Sequence, residues 1–209
     1  MEFQEDKFYH IYNRGNNEQL IFFKPDNYLF FLSKVRKYIK PCCDILAYTL
    51  MPNHFRFLIH ADMRTVQKIT KGKQKRNVLS EGFRNLLSSY CQAINKQNGT
   101  TGSLFQQNTK AKCLNDGPIN YGSLAFHDIH QEAYKAGLLK RMDDWEYSSF
   151  KDYAGLRNGT LCNQKLAWEL LDLNEETFLR SSCAIIDNEL LKNMVCGNGR
   201  RRHTVSRHS

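Results

Sequence analysis

His54-Phe55-Arg56-Phe57-Leu58-Ile59-His60 alternates in character from one residue to the next, as a strand does when successive side chains point to opposite faces. Phe55, Phe57 and Ile59 share one face; His54, Arg56, Leu58 and His60 share the other. The apolar face has to pack on helices. The other carries imidazoles and a guanidinium, so the sheet is expected to be covered on one side and partly open on the other.

Pro52-Asn53 breaks the chain just before this strand, and Cys43 to Met51 reads as its neighbour. Phe8 to Arg14 is a further strand ending at Gly15-Asn16-Asn17. Pro25 and Asp26 open a helix through Ile39, and Val78 to Lys96 repeats the helical apolar spacing before Asn98-Gly99. A short strand is expected near Thr109 to Leu114, and a helix from Ile119 to Gly137, with Gly137 as its cap. Two short helices, Gln164 to Leu171 and Asp187 to Met194, follow a turn-rich segment after Trp145. Interleaved strands and helices with hairpin-compatible breaks predict an α+β protein with helices on one face of an antiparallel sheet.

With 209 residues, 41% hydrophobic and 24% charged, the chain can bury a full core and is neither a disulfide miniprotein nor a disordered polymer. No apolar run reaches the length of a membrane span, and the first residues lack the pattern of a signal peptide, so a cytoplasmic protein with no membrane partner is expected. Seven cysteines without a Cys-x-x-Cys spacing read as reduced and mostly buried. The net charge of +9 is segmental. Arg64, Lys68, Lys71, Lys73, Lys75 and Arg76 form one run without acids, and Arg200, Arg201, Arg202 and Arg207 form a second. Setting those ten aside leaves 20 basic side chains against 21 acidic ones. Such runs on a neutral body match a polyanion, although a solvated loop and tail would look the same.

Three segments taken together resemble a known family: Tyr9-His10-Ile11-Tyr12-Asn13-Arg14-Gly15-Asn16, Leu50-Met51-Pro52-Asn53-His54-Phe55-Arg56-Phe57-Leu58-Ile59, and Gly102-Ser103-Leu104-Phe105-Gln106 through Ala136-Gly137-Leu138 to Trp145-Glu146-Tyr147-Ser148-Ser149. They resemble the insertion sequence 200-like transposases of the single-tyrosine HUH superfamily, most closely the REP-associated tyrosine transposases. The resemblance implies a ferredoxin-like fold, taken over residues 1–155; residues 156–209 read from the sequence as a helical extension whose basic tail has no match in the family. The resemblance also implies DNA transposition on hairpin-flanked single-stranded DNA; the sequence leaves monomer and homodimer both open. In that chemistry a divalent metal, Mg or Mn, held by a His-hydrophobic-His pair and a third ligand polarises the scissile phosphate. A tyrosine then attacks to give a phosphotyrosyl intermediate.

Two positions depart from that pattern. The second metal histidine falls on Arg56, whose guanidinium has no lone pair to give a metal but could grip a phosphate where the cation would sit. The nucleophile position falls on Asp128, a carboxylate that would repel the incoming phosphodiester. Tyr121, about 10 Å along the helix, is the candidate substitute, and Tyr134 points off that face. His54 and Glu132 are what remains of a metal site. Both departures together predict a catalytically degenerate DNA-binding protein; the rival is an active metal-dependent nuclease with a displaced tyrosine. The expected DNA contacts are Arg56, His10, Arg14, Lys68, Lys71, Lys73, Lys75 and Arg76, with packing an equal alternative for His10 and Arg14. His60 lies too far along the strand to share a metal with His54. His127 and His130 form a further pair near Glu132, and Tyr90, Trp145 and Tyr153 read as core aromatics.

Overall fold

The computed structural model describes residues 1–71, 74–115, 121–184 and 186. Its central sheet contains β1 (Lys7–Arg14), β2 (Asp44–Met51), β3 (His54–Ala61) and β6 (Lys110–Cys113) in the order β2-β3-β1-β6. All neighbours are antiparallel. With α1 (Pro25–Tyr38) between β1 and β2, and α3 (Val78–Asn98) between β3 and β6, this is the split βαβ arrangement of a ferredoxin-like sheet, as expected. Between β3 and α3 the chain forms a short helix α2 (Met63–Val66) and a hairpin of β4 (Lys68–Lys71) and β5 (Gln74–Asn77).

The register sorts side chains by face. Ile11 pairs with Phe57 and Asn13 with Phe55, so these lie together on the face packed against α1 and α3. Phe31 of α1 and Phe83 and Tyr90 of α3 complete that core, and Phe55 meets Phe31 and Phe83 at ring distances of 5.3 and 6.4 Å. Gly82 permits the close approach of α3 to α1, since a β-carbon there would lie 2.4 Å from the Tyr38 carbonyl oxygen. Asn77 caps α3 by accepting from the Leu79 and Ser80 amides, and Gly99 ends it in the left-handed conformation.

On the opposite face, α4 (Tyr121–Lys135) crosses the β2–β3 half and leaves the β1–β6 half uncovered by a long helix. That coverage explains why β2 is buried on both faces. Residues 147–149 run beside β2: Leu50 N–H donates to the Tyr147 carbonyl, and Ser149 N–H donates to that of Tyr48. The Tyr147 ring stacks on Tyr28 at 3.8 Å. Thus the Trp-Glu-Tyr-Ser-Ser run seals one sheet edge.

Beyond it lie α5 (Phe150–Tyr153), α6 (Gln164–Leu170) and α7 (Phe178–Cys183), the last packed on α4. The expected helix over Asp187 to Met194, Cys196 and the arginine tail lie outside the described residues. Tyr90 and Tyr153 are buried, and Trp145 packs at the margin of the core. Cys42, Cys43 and Cys162 are buried thiols, whereas Cys183 is exposed; all four are free.

His130 sits among Phe126, Phe150, Tyr153 and Phe178, with its Nε2 2.7 Å from Ser149 Oγ. Burial pushes the His127 imidazole down to about 4, and burial with the nearby His127 holds His130 well below the ordinary value. Unfolding returns both rings to water, where imidazole titrates near ~6.5. Between about pH 6.5 and 4 the unfolded chain therefore binds protons that the fold does not, and stability, complete above that window, is lost as pH falls through it. The thermal midpoint is expected to drop steadily from pH 7 to 5, with a shallower slope in His127→Gln. Each ring contributes up to about 1.4 kcal/mol per pH unit.

Candidate functional site

The Met51-Pro52-Asn53-His54 run is fixed by its backbone. The Pro52 carbonyl accepts from the Ile21 and Phe22 amides, and the Asn53 carbonyl accepts from Gly15 N–H at 2.8 Å. A β-carbon at Gly15 would lie 2.2 Å from the Gln19 carbonyl oxygen, so glycine is needed for this clasp. The Asn53 side-chain amide lies 2.7 Å from His54 Nδ1 and orients the ring.

With the turn held, His54 and Arg56 point from β3 toward α4. Asp128, Glu132 and Lys135 stand at i, i+4 and i+7 on α4, one face of the helix, and meet them. His54 Nε2 donates to Glu132 Oε1 at 2.9 Å. The Arg56 guanidinium donates from Nη1 to Glu132 Oε1 at 3.1 Å, from Nη2 to Asp128 Oδ2 at 2.5 Å, and from Nε to His10 Nε2 on β1 at 2.9 Å. Lys135 Nζ reaches the second Asp128 oxygen at 3.0 Å. Two cations thus neutralise two carboxylates, with the Arg56 side chain 14% and that of Asp128 7% exposed. Burial opposes the charge on Arg56, but Glu132 and Asp128 more than offset it and hold its pKa above the ordinary value. Arginine can only donate, so His10 accepts with Nε2 and is the neutral tautomer protonated on Nδ1. Burial first, then Arg56 and Lys112, holds the His10 imidazole well below its usual range.

Five of the residues singled out from the sequence therefore converge: His10, His54, Arg56, Asp128 and Glu132. All three guanidinium nitrogens of Arg56 are committed to protein acceptors, so contact with a phosphate would require exchange of a carboxylate or of His10. The donor set does not fit a divalent ion. Of the three positions that the resemblance gives to metal ligands, one is a guanidinium without a lone pair, and its charge is already in contact with Glu132, another of them. Glu132 Oε2 is buried with no hydrogen-bond partner among the described residues.

Other candidates lie apart. Tyr121 is the first residue of α4 and packs against the core, two turns from Asp128. Tyr134 is exposed beside Lys140 and Arg141 in a groove of about 520 Å³. His127 and His130 bond Ser182 and Ser149, while Glu132 bonds across to β3, so the three do not form a metal site. Arg14 is exposed and pairs with Glu18 at 3.3 Å. Lys68 and Lys75 of the β4–β5 hairpin line a groove with Tyr9, Ala111 and Cys113, on the sheet face opposite Arg56. Arg76 approaches Glu81 at 3.8 Å, and Lys73 lies outside the described residues. Lys68 and Lys75 thus follow the motif strand closely in sequence but line the other side of the sheet from His54 and Arg56.

Sequence reading missed Lys135, although its place seven residues after Asp128 puts it on the same helical face. It also missed Lys110 and Lys112. These alternate with Ala111 and Cys113 and lie opposite Tyr12 and His10, on the face of Arg56.

No protein-family model matches the chain, and no curated protein matches it. Among solved structures, a REP-associated tyrosine transposase bound to a REP hairpin superposes with a TM-score of 0.53 and 15% identity, over 75% of this chain and 85% of that one. The two share a fold. A bacterial tRNA(His) guanylyltransferase-like protein in complex with GTP superposes with a TM-score of 0.43 and 11% identity, over 66% of this chain and 67% of that one, too low a likeness to carry an argument.

Removing Arg56 strands two carboxylates against the sheet. Arg56→Met is expected to cost about 3–5 kcal/mol in urea unfolding, and Lys135→Met, whose ammonium is more exposed, about 1 kcal/mol. A double-mutant cycle of Arg56→Met with Asp128→Leu is expected to recover part of the first loss, because the buried Asp128 charge is gone while Glu132 still lacks its guanidinium.

Proposed function

We propose that this chain binds hairpin-flanked single-stranded DNA without cutting it, as a catalytically degenerate relative of the insertion sequence 200-like transposases. The observation that carries the reading is the Arg56 guanidinium bonded at once to Asp128 and Glu132, the positions that the resemblance gives to the nucleophile and to a metal ligand. A fixed internal cation takes up the negative charge that a metal would otherwise balance. Asp128, held between Arg56 and Lys135, has no phenolic oxygen to offer phosphorus.

The shared fold with a transposase solved on its hairpin supports DNA as the ligand. Charge supports the same partner. In this reading the lysines and arginine of the β4–β5 segment, Lys68, Lys71, Lys73, Lys75 and Arg76, contact phosphates of the stem. Arg14 serves the face that carries Arg56, and the site needs no divalent ion for binding. No helix among the described residues is long and apolar enough to cross a membrane.

The test compares the natural chain with the double variant Arg56→His plus Asp128→Tyr, on a labelled hairpin with a single-stranded flank, with Mg²⁺ or Mn²⁺ and with EDTA. The natural chain is expected to retain the DNA equally well with and without EDTA, to leave it intact and to form no covalent adduct. Cleavage by the natural chain with capture of a DNA 5′ end would overturn the reading and make Tyr121 and Tyr134 the nucleophiles to replace. Absence of any binding would overturn it from the other side.

A further inference from the structure

The half of the sheet that α4 leaves uncovered has a composition of its own. On β1 the side chains facing that way include His10, Tyr12 and Arg14; on β6 they are Lys110 and Lys112. The register sets Tyr12 directly opposite Lys110 on one side and Arg56 on the other, and His10 opposite Lys112. Tyr12 is 37% exposed, unusual for an aromatic in an inner strand of a four-stranded sheet. Its ring stacks on His10 at 5.0 Å with an interplanar angle of 29°, which supports one side of the phenol ring. Lys110 is exposed and Lys112 half-buried; as i and i+2 of one strand they stand about 6.6 Å apart along it. Arg14 is exposed at the end of β1, where it pairs with the exposed Glu18 at 3.3 Å, and the two strands themselves contribute no carboxylate to that face.

An exposed aromatic on an inner strand of a ferredoxin-like sheet, rimmed by cations, matches what single-stranded nucleic acid requires. Any base has a π-face that stacks on such a ring, and the backbone phosphates beside it seek positive charge. We infer that Tyr12 is a stacking platform for one unpaired base of single-stranded DNA, with Lys110, Lys112 and Arg14 holding the phosphates on either side. The inference rests on the single-strand reading above and deepens it by naming the contact surface. That surface adjoins the Arg56 network through His10, which stacks under Tyr12 and accepts from Arg56 Nε. The neighbouring position across the sheet, where a second ring would extend the platform, is Arg56, whose nitrogens face His10 and α4. The platform therefore takes one base, and lengthening the single-stranded flank adds affinity through phosphates alone once that base is seated.

Binding of a fluorescein-labelled hairpin with a five-nucleotide single-stranded flank is measured for the natural chain, Tyr12→Phe, Tyr12→Ala, and Lys110→Gln plus Lys112→Gln. Tyr12→Phe keeps the ring and is expected to bind within twofold of the natural chain. Tyr12→Ala is expected to lose about 5- to 150-fold, the range for one stacked base. The lysine pair is expected to flatten the salt dependence of log K by about 1.4, the release from two single-strand phosphates. A flank carrying one 5-iodouracil, irradiated on the natural chain, is expected to crosslink to the β1 peptide that contains Tyr12, a readout independent of how the variants fold. If the natural chain binds this DNA while Tyr12→Ala stays within twofold, or the crosslink falls outside β1 and β6, the platform is wrong and the DNA-binding reading stands. If the natural chain binds neither this hairpin nor the flank alone, both fall.

Discussion

A guanidinium shut between a sheet and a helix is the constraint around which this molecule is arranged. Desolvating Arg56 is costly, and the cost is met only if acceptors approach from several directions. They come from β1, through His10, and from α4, through Asp128 and Glu132. That requirement fixes the axial position of α4 over the sheet, because acids four residues apart must both reach one side chain. Lys135 completes the electrostatics from the next turn of the helix. His10 has to remain neutral for the arrangement to hold, since a second proton would remove the lone pair that Arg56 uses.

The two faces of the sheet illustrate different kinds of specification. Toward α1 and α3 the contacts are rings and aliphatic groups, where size and packing decide, with Gly82 setting how close the helices come. Toward α4 they are directional and charged, and geometry decides. The Pro52–Asn53 turn links the two. Its carbonyls are held by the segment from Gly15 to Phe22, which leads into α1, and its Asn53 side chain orients His54 on the other face.

Much of this was legible in the chain. The alternation of residues 54–60 and the helical spacing of residues 78–96 marked β3 and α3 because burial on one face leaves a periodic trace. The break at Pro52-Asn53 marked the hairpin, and Gly137, in the left-handed conformation, ends α4 where the sequence placed a cap. The ionic contacts of α4 left a weaker trace: acids on one helix and a cation on a strand reveal their partnership only once the helix is docked. Edge sealing by residues 147–149 was illegible, since backbone hydrogen bonds have no side-chain signature. Lys110 and Lys112 visibly shared a face, but only the register with β1 says which one. The basic run around Lys71 reads as a phosphate clamp, with a linker as the plainer alternative; in the fold, residues 68–71 and 74–77 of that run pair as a hairpin.

The Arg56–Asp128 pair also bears on how such a site can change through descent. Histidine at 56 alone would leave Asp128 with Lys135 as its remaining cation, and tyrosine at 128 alone would press a bulky phenol against a guanidinium held by Glu132 and His10. Each single step away from the pair passes through a less stable protein. The ion pair therefore acts as a ratchet: with both residues in place, each makes the other costly to replace alone.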